Sequence, residues 1–139
     1  MINEGKDNSK QQAGDKMPDG TVFAGISPDS GKKMFATPKD GTPLMTFRDA
    51  GKYADYLSKS KAFGHDDWRV PTKAELQLLF EVSKKGALKG TFDVSGSDTA
   101  GWYWSSTPYV GFNMWSLRFS DGIVLLNSRD NISSVRFIC

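Results

Sequence analysis

After Lys89 the chain has no lysine, glutamate or glutamine, although residues 1–89 hold thirteen Lys, three Glu and three Gln. At that frequency the last fifty residues would carry about ten of them, so the two parts of the chain differ in chemistry. Cysteine is almost missing too. The one thiol, Cys139, excludes an intrachain disulfide, and with no evident base or second thiol beside it in sequence, thiol chemistry is not expected. There is one histidine, His65. No apolar run approaches the roughly 18 residues of a membrane span, so direct membrane insertion is not expected. The start shows no basic-then-apolar segment, so this form of the chain is expected to carry no secretion address. A Gly-rich phosphate loop and a Gly-x-Ser-x-Gly elbow are both missing.

What is present fits one domain: 139 residues, 24% charged and 38% hydrophobic. Residues 1–20 are polar and read as a flexible leader, leaving 21–139 as the domain. Val22–Ser27 and Lys33–Thr37 form a hairpin pattern around Pro28-Asp29-Ser30-Gly31. Thr46 is the expected N-cap of a first helix running to about Lys59, with Phe47, Ala50, Ala54 and Leu57 on its buried face. Thr72 and Glu75 spell a capping box for a second helix, with Leu76, Leu79 and Phe80 facing inward and Gly86 as its stop. A Gly/Ser/Asp-rich loop, 90–101, leads into terminal strands. The class is therefore α+β, with an N-terminal β-hairpin, two helices and a C-terminal antiparallel β meander.

Asp121-Gly122 reads as a two-residue hairpin loop, pairing Arg118 with Leu125 and Ser116 with Asn127. Alternation then puts Trp115, Leu117, Phe119, Val124 and Leu126 on a core face, and Ser116, Arg118, Ile123, Leu125 and Asn127 on a displayed one. Ile123 and Leu125 beside Arg118, flanked by Tyr109 and Phe112, form an expected apolar patch with a polar rim, unless another layer of the chain covers them.

Catalytic and metal signals are weak. His65 with Asp66 and Asp67 reads as a solvated loop, since zinc needs three or four clustered ligands and no second His or nearby Cys helps. Asp93 and Asp98 lack the ligand spacing of a calcium loop. Lys84, Lys85 and Lys89 read as a solvated helix end. Trp68, Trp102, Trp104 and Trp115 read as core rather than as sugar-stacking rings. No catalytic residue, metal site or cofactor is expected. Residues 1–89 have a net charge of +3 and residues 90–139 one of −1, which counts against nucleic acid as a partner of the C-terminal face.

Four motifs in order resemble a known pattern: Trp68-Arg69-Val70-Pro71-Thr72-x-x-Glu75-Leu76, Tyr103-Trp104-Ser105-Ser106-Thr107, Phe119-Ser120-Asp121-Gly122 and Val135-Arg136. The chain resembles, over about Asp19 to Cys139, the bacterial and phage domain family named after the C-terminal domain of the Legionella collagen-like adhesin (Lcl C-terminal type). The resemblance implies a C-type-lectin-like fold and a binding module, not an enzyme. The copper-and-cysteine chemistry of its enzymatic relatives finds no suitably placed Cys. The Glu-Pro-Asn and Trp-Asn-Asp motifs of calcium-dependent lectins are absent.

A second similarity is to the variable proteins of diversity-generating retroelements, whose C-terminal codons change at adenines. Asn codons altered in this way cannot become Lys, Glu, Gln, Met or Trp. This implies a variable surface, although strands are also depleted in Lys and Glu for ordinary reasons.

The expected function is thus non-enzymatic receptor recognition at a bacterial or viral surface, with a cell-surface protein or glycan as partner and oligomers allowed. An invariant glycosaminoglycan-type adhesin is the alternative. The expected ligand-binding residues are Tyr109, Phe112, Asn113, Ser116, Arg118, Ile123, Leu125, Asn127, Arg129, Asp130 and Asn131.

Overall fold

The computed structural model describes residues 11–96 and 100–139. It is α+β: β1 (Val22–Ile26) and β2 (Lys33–Ala36) pair as an antiparallel hairpin, α1 (Phe47–Lys59) and α2 (Lys73–Val82) follow, and β3 (Trp102–Pro108), β4 (Asn113–Arg118) and β5 (Val124–Ser128) form an antiparallel meander. Hairpin, two helices and meander come in the order the sequence predicts.

Local chemistry accounts for the element boundaries. Gly31, at φ +73°, closes the first hairpin by donating its N–H to Ser27 O at 2.9 Å. Thr46 caps α1 by accepting from the Asp49 N–H, and Ala50, Ala54 and Leu57 are its buried face. In α2 both arms of the Thr72–Glu75 capping box are made. The helix stops at Val82, with Ser83 as its C-cap, rather than at Gly86; Gly86–Leu88 forms a separate 3-10 turn.

The segment 133–139 runs through the middle. Its backbone meets Met45, Tyr103, Ala36 and Arg69 in isolated bridges. Its side chains serve two apolar clusters. Val135 and Phe137 pack with Trp104, Met114, Trp68 and the buried face of α1. Ile138 packs with Leu76 and Leu79 of α2, and with Val22, Met34, Tyr103 and Phe119. Between them Arg136 is fully buried, donating to Asp40 Oδ1 (2.9 Å), Thr37 O (3.1 Å) and Thr91 O (2.6 Å). Tyr103 donates to the other oxygen of Asp40 at 2.5 Å.

Two further expectations change. The C-terminal hairpin has a four-residue loop, 119–122, not a two-residue one: Leu117 faces Val124 and Ser116 faces Leu125. Only Gly122 is left-handed, at φ +82°, and it donates to Arg118 O at 2.7 Å. Asp121 instead uses its carboxylate to accept from the Ile123 N–H and from Arg118, while Phe119 is drawn into the core at 3% exposure. The slip is an even number of residues, so the predicted faces survive.

The packed chain also begins before residue 21. Gly14 N–H donates to Phe23 O and Phe23 N–H to Asp15 O, both at 2.8 Å, and Ala13 packs on the core. Residues 1–10 of the expected leader lie outside the described residues.

Glu75 is 1% exposed and takes two bonds from Arg69 (2.6 and 2.7 Å), one from the Ser27 hydroxyl and one from the Thr72 N–H. Burial opposes its charge, but these donors outweigh it and hold the carboxyl at about 2, against an ordinary 4.5. A depressed carboxylate stabilises the fold above its unfolded value, and that contribution is lost as pH falls. Stability should therefore drop by roughly 2 kcal/mol between pH 5 and 2 from this group, allowing for solvent screening of half-exposed Arg69. Urea unfolding across this range should show a shallower fall in Glu75→Gln than in the parent. Asp40→Ala, which strands the buried Arg136 charge, should cost about 3–5 kcal/mol in the same assay at pH 7.

Candidate functional site

Cross-strand pairing sets Trp102 opposite Arg118, and Ser116 opposite both Trp104 and Leu125. These residues share one face of the sheet. The Trp104 and Met114 half of that face is buried under α1 and residues 133–137. The other half is open. There Gly96, Trp102, Ser116, Arg118, Leu125, Leu126 and Asn127 line a groove of about 300 Å³.

The polar groups of the groove are fixed in place. The Arg118 guanidinium lies 5.0 Å from the Trp102 ring and is held by Asp121 at 3.1 and 2.6 Å. This pairing raises the Arg118 pKa and lowers that of Asp121. Asn127 donates to Ser133 Oγ at 2.9 Å and accepts from the Asn131 amide at 2.8 Å. Ser116 forms the floor; it is 1% exposed and its hydroxyl donates to Leu125 O.

The expected binding residues therefore separate. Ser116, Arg118, Leu125 and Asn127 meet in the groove, although Ser116 is buried rather than displayed, because β4 is the central strand and Trp104 and Leu125 flank it on either side. Ile123 (43% exposed) and Leu125 (52%) are covered by no layer of the described chain. Phe112 is exposed at the β3–β4 turn. Asn113, half-buried, starts β4 opposite Ser128. Tyr109 leans on Trp115 of the opposite face, ring centroids 5.4 Å apart, and Lys73 lies over the same indole. Arg129 turns toward α1, its guanidinium 5.6 Å from the Phe47 ring. Its Nε is buried with no partner among the described residues. Asp130 and Asn131 are exposed beside it.

The sequence pattern places two groove residues, Trp102 and Leu126, in the core, and the structure does not. Trp102, the first residue of β3, precedes the buried run 103–105 and is half-exposed, and Leu126 of β5 is 40% exposed. Only the strand pairing, a long-range fact, would have found Trp102.

Elsewhere, Asp93 caps a turn through the Ser95 N–H; Asp98 lies outside the described residues. Cys139 is not isolated from other ligand atoms, as its place in the sequence implies. The end of the chain returns to β2, and His65, Asp67 and Cys139 present ligand atoms within 4.8 Å of one another. Burial, with Asp67 and Asp19 nearby, pushes the thiol up to about 12.

The family model described as the Lcl C-terminal domain matches residues 20–139. The chain belongs to the Lcl C-terminal domain family. Membership places it among adhesin-like binding modules, a class associated with surfaces, and the match takes in both helices and every strand of the fold. No curated protein matches the chain.

In this member of the Lcl C-terminal domain family, Asn127 ties β5 to the 131–133 loop. Asn127→Ala should cost about 1–2 kcal/mol. Hydrogen exchange should accelerate at residues 129–132 while α1 and α2 keep their protection.

Proposed function

We propose that the chain is a non-enzymatic recognition module presenting the open half of its C-terminal sheet to a receptor on another cell's surface. The carrying observation is where the exposed apolar side chains fall. Among the described residues, seven of the eleven large exposed hydrophobics lie between residues 109 and 132: Tyr109, Val110, Phe112, Ile123, Leu125, Leu126 and Ile132. Of these, Leu125 and Leu126 line the groove with Arg118 and Asn127, and exposed apolar side chains beside fixed polar groups are the arrangement expected of a protein-binding surface.

On this reading the ligand face is Phe112, Arg118, Ile123, Leu125 and Asn127, with Trp102 at the groove wall. Diversification of these positions fits the residues that adenine-directed change cannot produce: Trp104 and Met114 are buried scaffold, and Trp102 and Trp115 are half-buried. Buried Ser116 leaves the variable set. A C-type-lectin-like ancestry and display on a cell or virion surface follow from the same reading.

A glycan is the second reading. The Trp102 indole beside the Arg118 guanidinium and the Asn127 amide pairs a stacking surface with hydrogen-bonding groups. The −1 charge of residues 90–139 disfavours a sulfated one.

The test is to probe arrays of cell-surface ectodomains and of glycans with the purified domain. Leu125→Asp and Phe112→Ala should each weaken a protein hit by tenfold or more without lowering Tm. Binding that survives both changes and Arg118→Ala would move the site off this face. For diversification, the flanking DNA should hold a partial copy of codons 102–139 that differs at adenines, mainly at positions 112, 118, 123, 125 and 127.

A further inference from the structure

We propose that His65, Asp67 and Cys139 form a binding site for one Zn²⁺ ion, with Asp19 orienting the imidazole from behind. The site is separate from the sheet face. Its three residues supply nitrogen, oxygen and sulfur ligand atoms within 4.8 Å of one another.

The backbone beneath them is fixed by hydrogen bonds. Cys139 exchanges two with Phe35 (3.0 and 2.9 Å), and Arg69 exchanges two with Ile138 (2.8 and 3.0 Å). The His65 ring stacks on Phe35 at 6.2 Å and meets the Trp68 ring edge-on at 5.8 Å. Its Nε2 is 2.7 Å from Asp19 Oδ2. A carboxylate on one ring nitrogen fixes the ring's orientation and leaves the other, Nδ1, to ligate. Asp19 is itself set, accepting from the Thr21 N–H and hydroxyl.

The donor chemistry selects the ion. A thiolate with an imidazole suits zinc, whereas calcium and magnesium prefer all-oxygen sites. Zinc bonds of about 2.0–2.3 Å at tetrahedral angles place ligand atoms roughly 3.3–3.7 Å apart. The ligand atoms of exposed Asp67 and half-exposed His65 and Cys139 lie within 4.8 Å of one another, so binding would draw them together by about 1 Å. Three protein ligands leave one position to water.

The local field also favours a cation. Two carboxylates belong to the site, Asp67 among the ligands and Asp19 behind the imidazole, while the Arg69 guanidinium is committed to Glu75. An ion here would join the end of the chain to the 61–67 loop, where Lys61 (φ 51°) and Phe63 (φ 55°) are left-handed. Its role would be to hold that loop in place.

Cobalt is the probe, because a thiolate ligand gives Co²⁺ a charge-transfer band and a tetrahedral site intensifies its visible bands. The reduced, chelator-stripped protein should develop both, saturating at one equivalent, and Zn²⁺ should abolish them. At a hundredfold excess over Kd, Zn²⁺ should raise Tm by about 5 °C or more. Cys139→Ser should lose the charge-transfer band, His65→Ala should lose the tetrahedral spectrum, and Asp19→Asn should weaken affinity by about tenfold. The proposal is overturned if the parent protein shows no thiolate band at stoichiometric Co²⁺. It is equally overturned if the full spectrum persists in a folded His65→Ala, which would mean adventitious binding by the thiol alone. The cobalt titration of the parent needs no variant, so it remains decisive if a substitution disturbs folding.

Discussion

The buried guanidinium of Arg136 is the constraint on which the packing depends. It stays charged in proteins and offers five donors, so a core that encloses it must meet them. The partners come from distant parts of the chain: Asp40 and Thr37 beyond the first hairpin, and Thr91 after α2. Its plane lies 4.0 Å from the Phe92 ring centroid. Asp40 is shared with Tyr103, the residue that joins β3 to the apolar cluster around Ile138. Burial pushes the Asp40 carboxyl up, and Arg136 and the Tyr103 hydroxyl pull it back. One charge thus fixes where two loops, a strand and the chain's end must meet.

With the 133–139 segment held at the centre, the sheet can be asymmetric. β3 is flanked on one side by Ser134 and on the other by β4, whereas among the described residues β5 has β4 as its one strand neighbour. An edge strand carrying exposed aliphatics is a hazard that proteins normally blunt with Lys, Pro or bulges. Leu125 and Leu126 on β5, with Ile123 just before it, have no such protection on the strand itself. Retaining them runs against solubility unless a partner covers them, and that supports reading this face as a recognition surface.

What was legible in the sequence is what short-range chemistry decides. Thr46, the Thr72–Glu75 box and the Pro28–Gly31 turn each act within about four residues, and each is where the sequence puts it. The C-terminal loop was misjudged because the Asp121 carboxylate binds Arg118 and the Ile123 N–H, a side-chain preference that overrides the Asp-Gly backbone rule. The even slip that resulted could not disturb the faces, so Ile123 and Leu125 were found all the same. Trp102 and Cys139 were missed for another reason. Their neighbours, Arg118 in one case and Asp67 in the other, are brought near only by strand pairing, and no local pattern encodes that.

The structure also bears on why lysine, glutamate and glutamine stop at residue 89. A region rich in buried strands would lack them for ordinary reasons, and 133–138 is indeed buried throughout. Burial does not account for the exposed positions. Among described residues up to 89, thirteen of the thirty-four exposed positions are Lys, Glu or Gln; from 90 onward none of sixteen is. At the earlier rate about six would be expected, since these are the residues that solvent-facing sites ordinarily hold. Most of the sixteen, including Tyr109, Phe112, Asp121 and Asn131, lie in turns and loops rather than strands, so strand propensity does not account for them either. The deficit belongs to the surface, and to the part of it where the exposed apolar side chains gather. Binding surfaces are depleted in Lys and Glu, so the deficit fits a face kept for recognition; a constraint on folding would have acted on the interior.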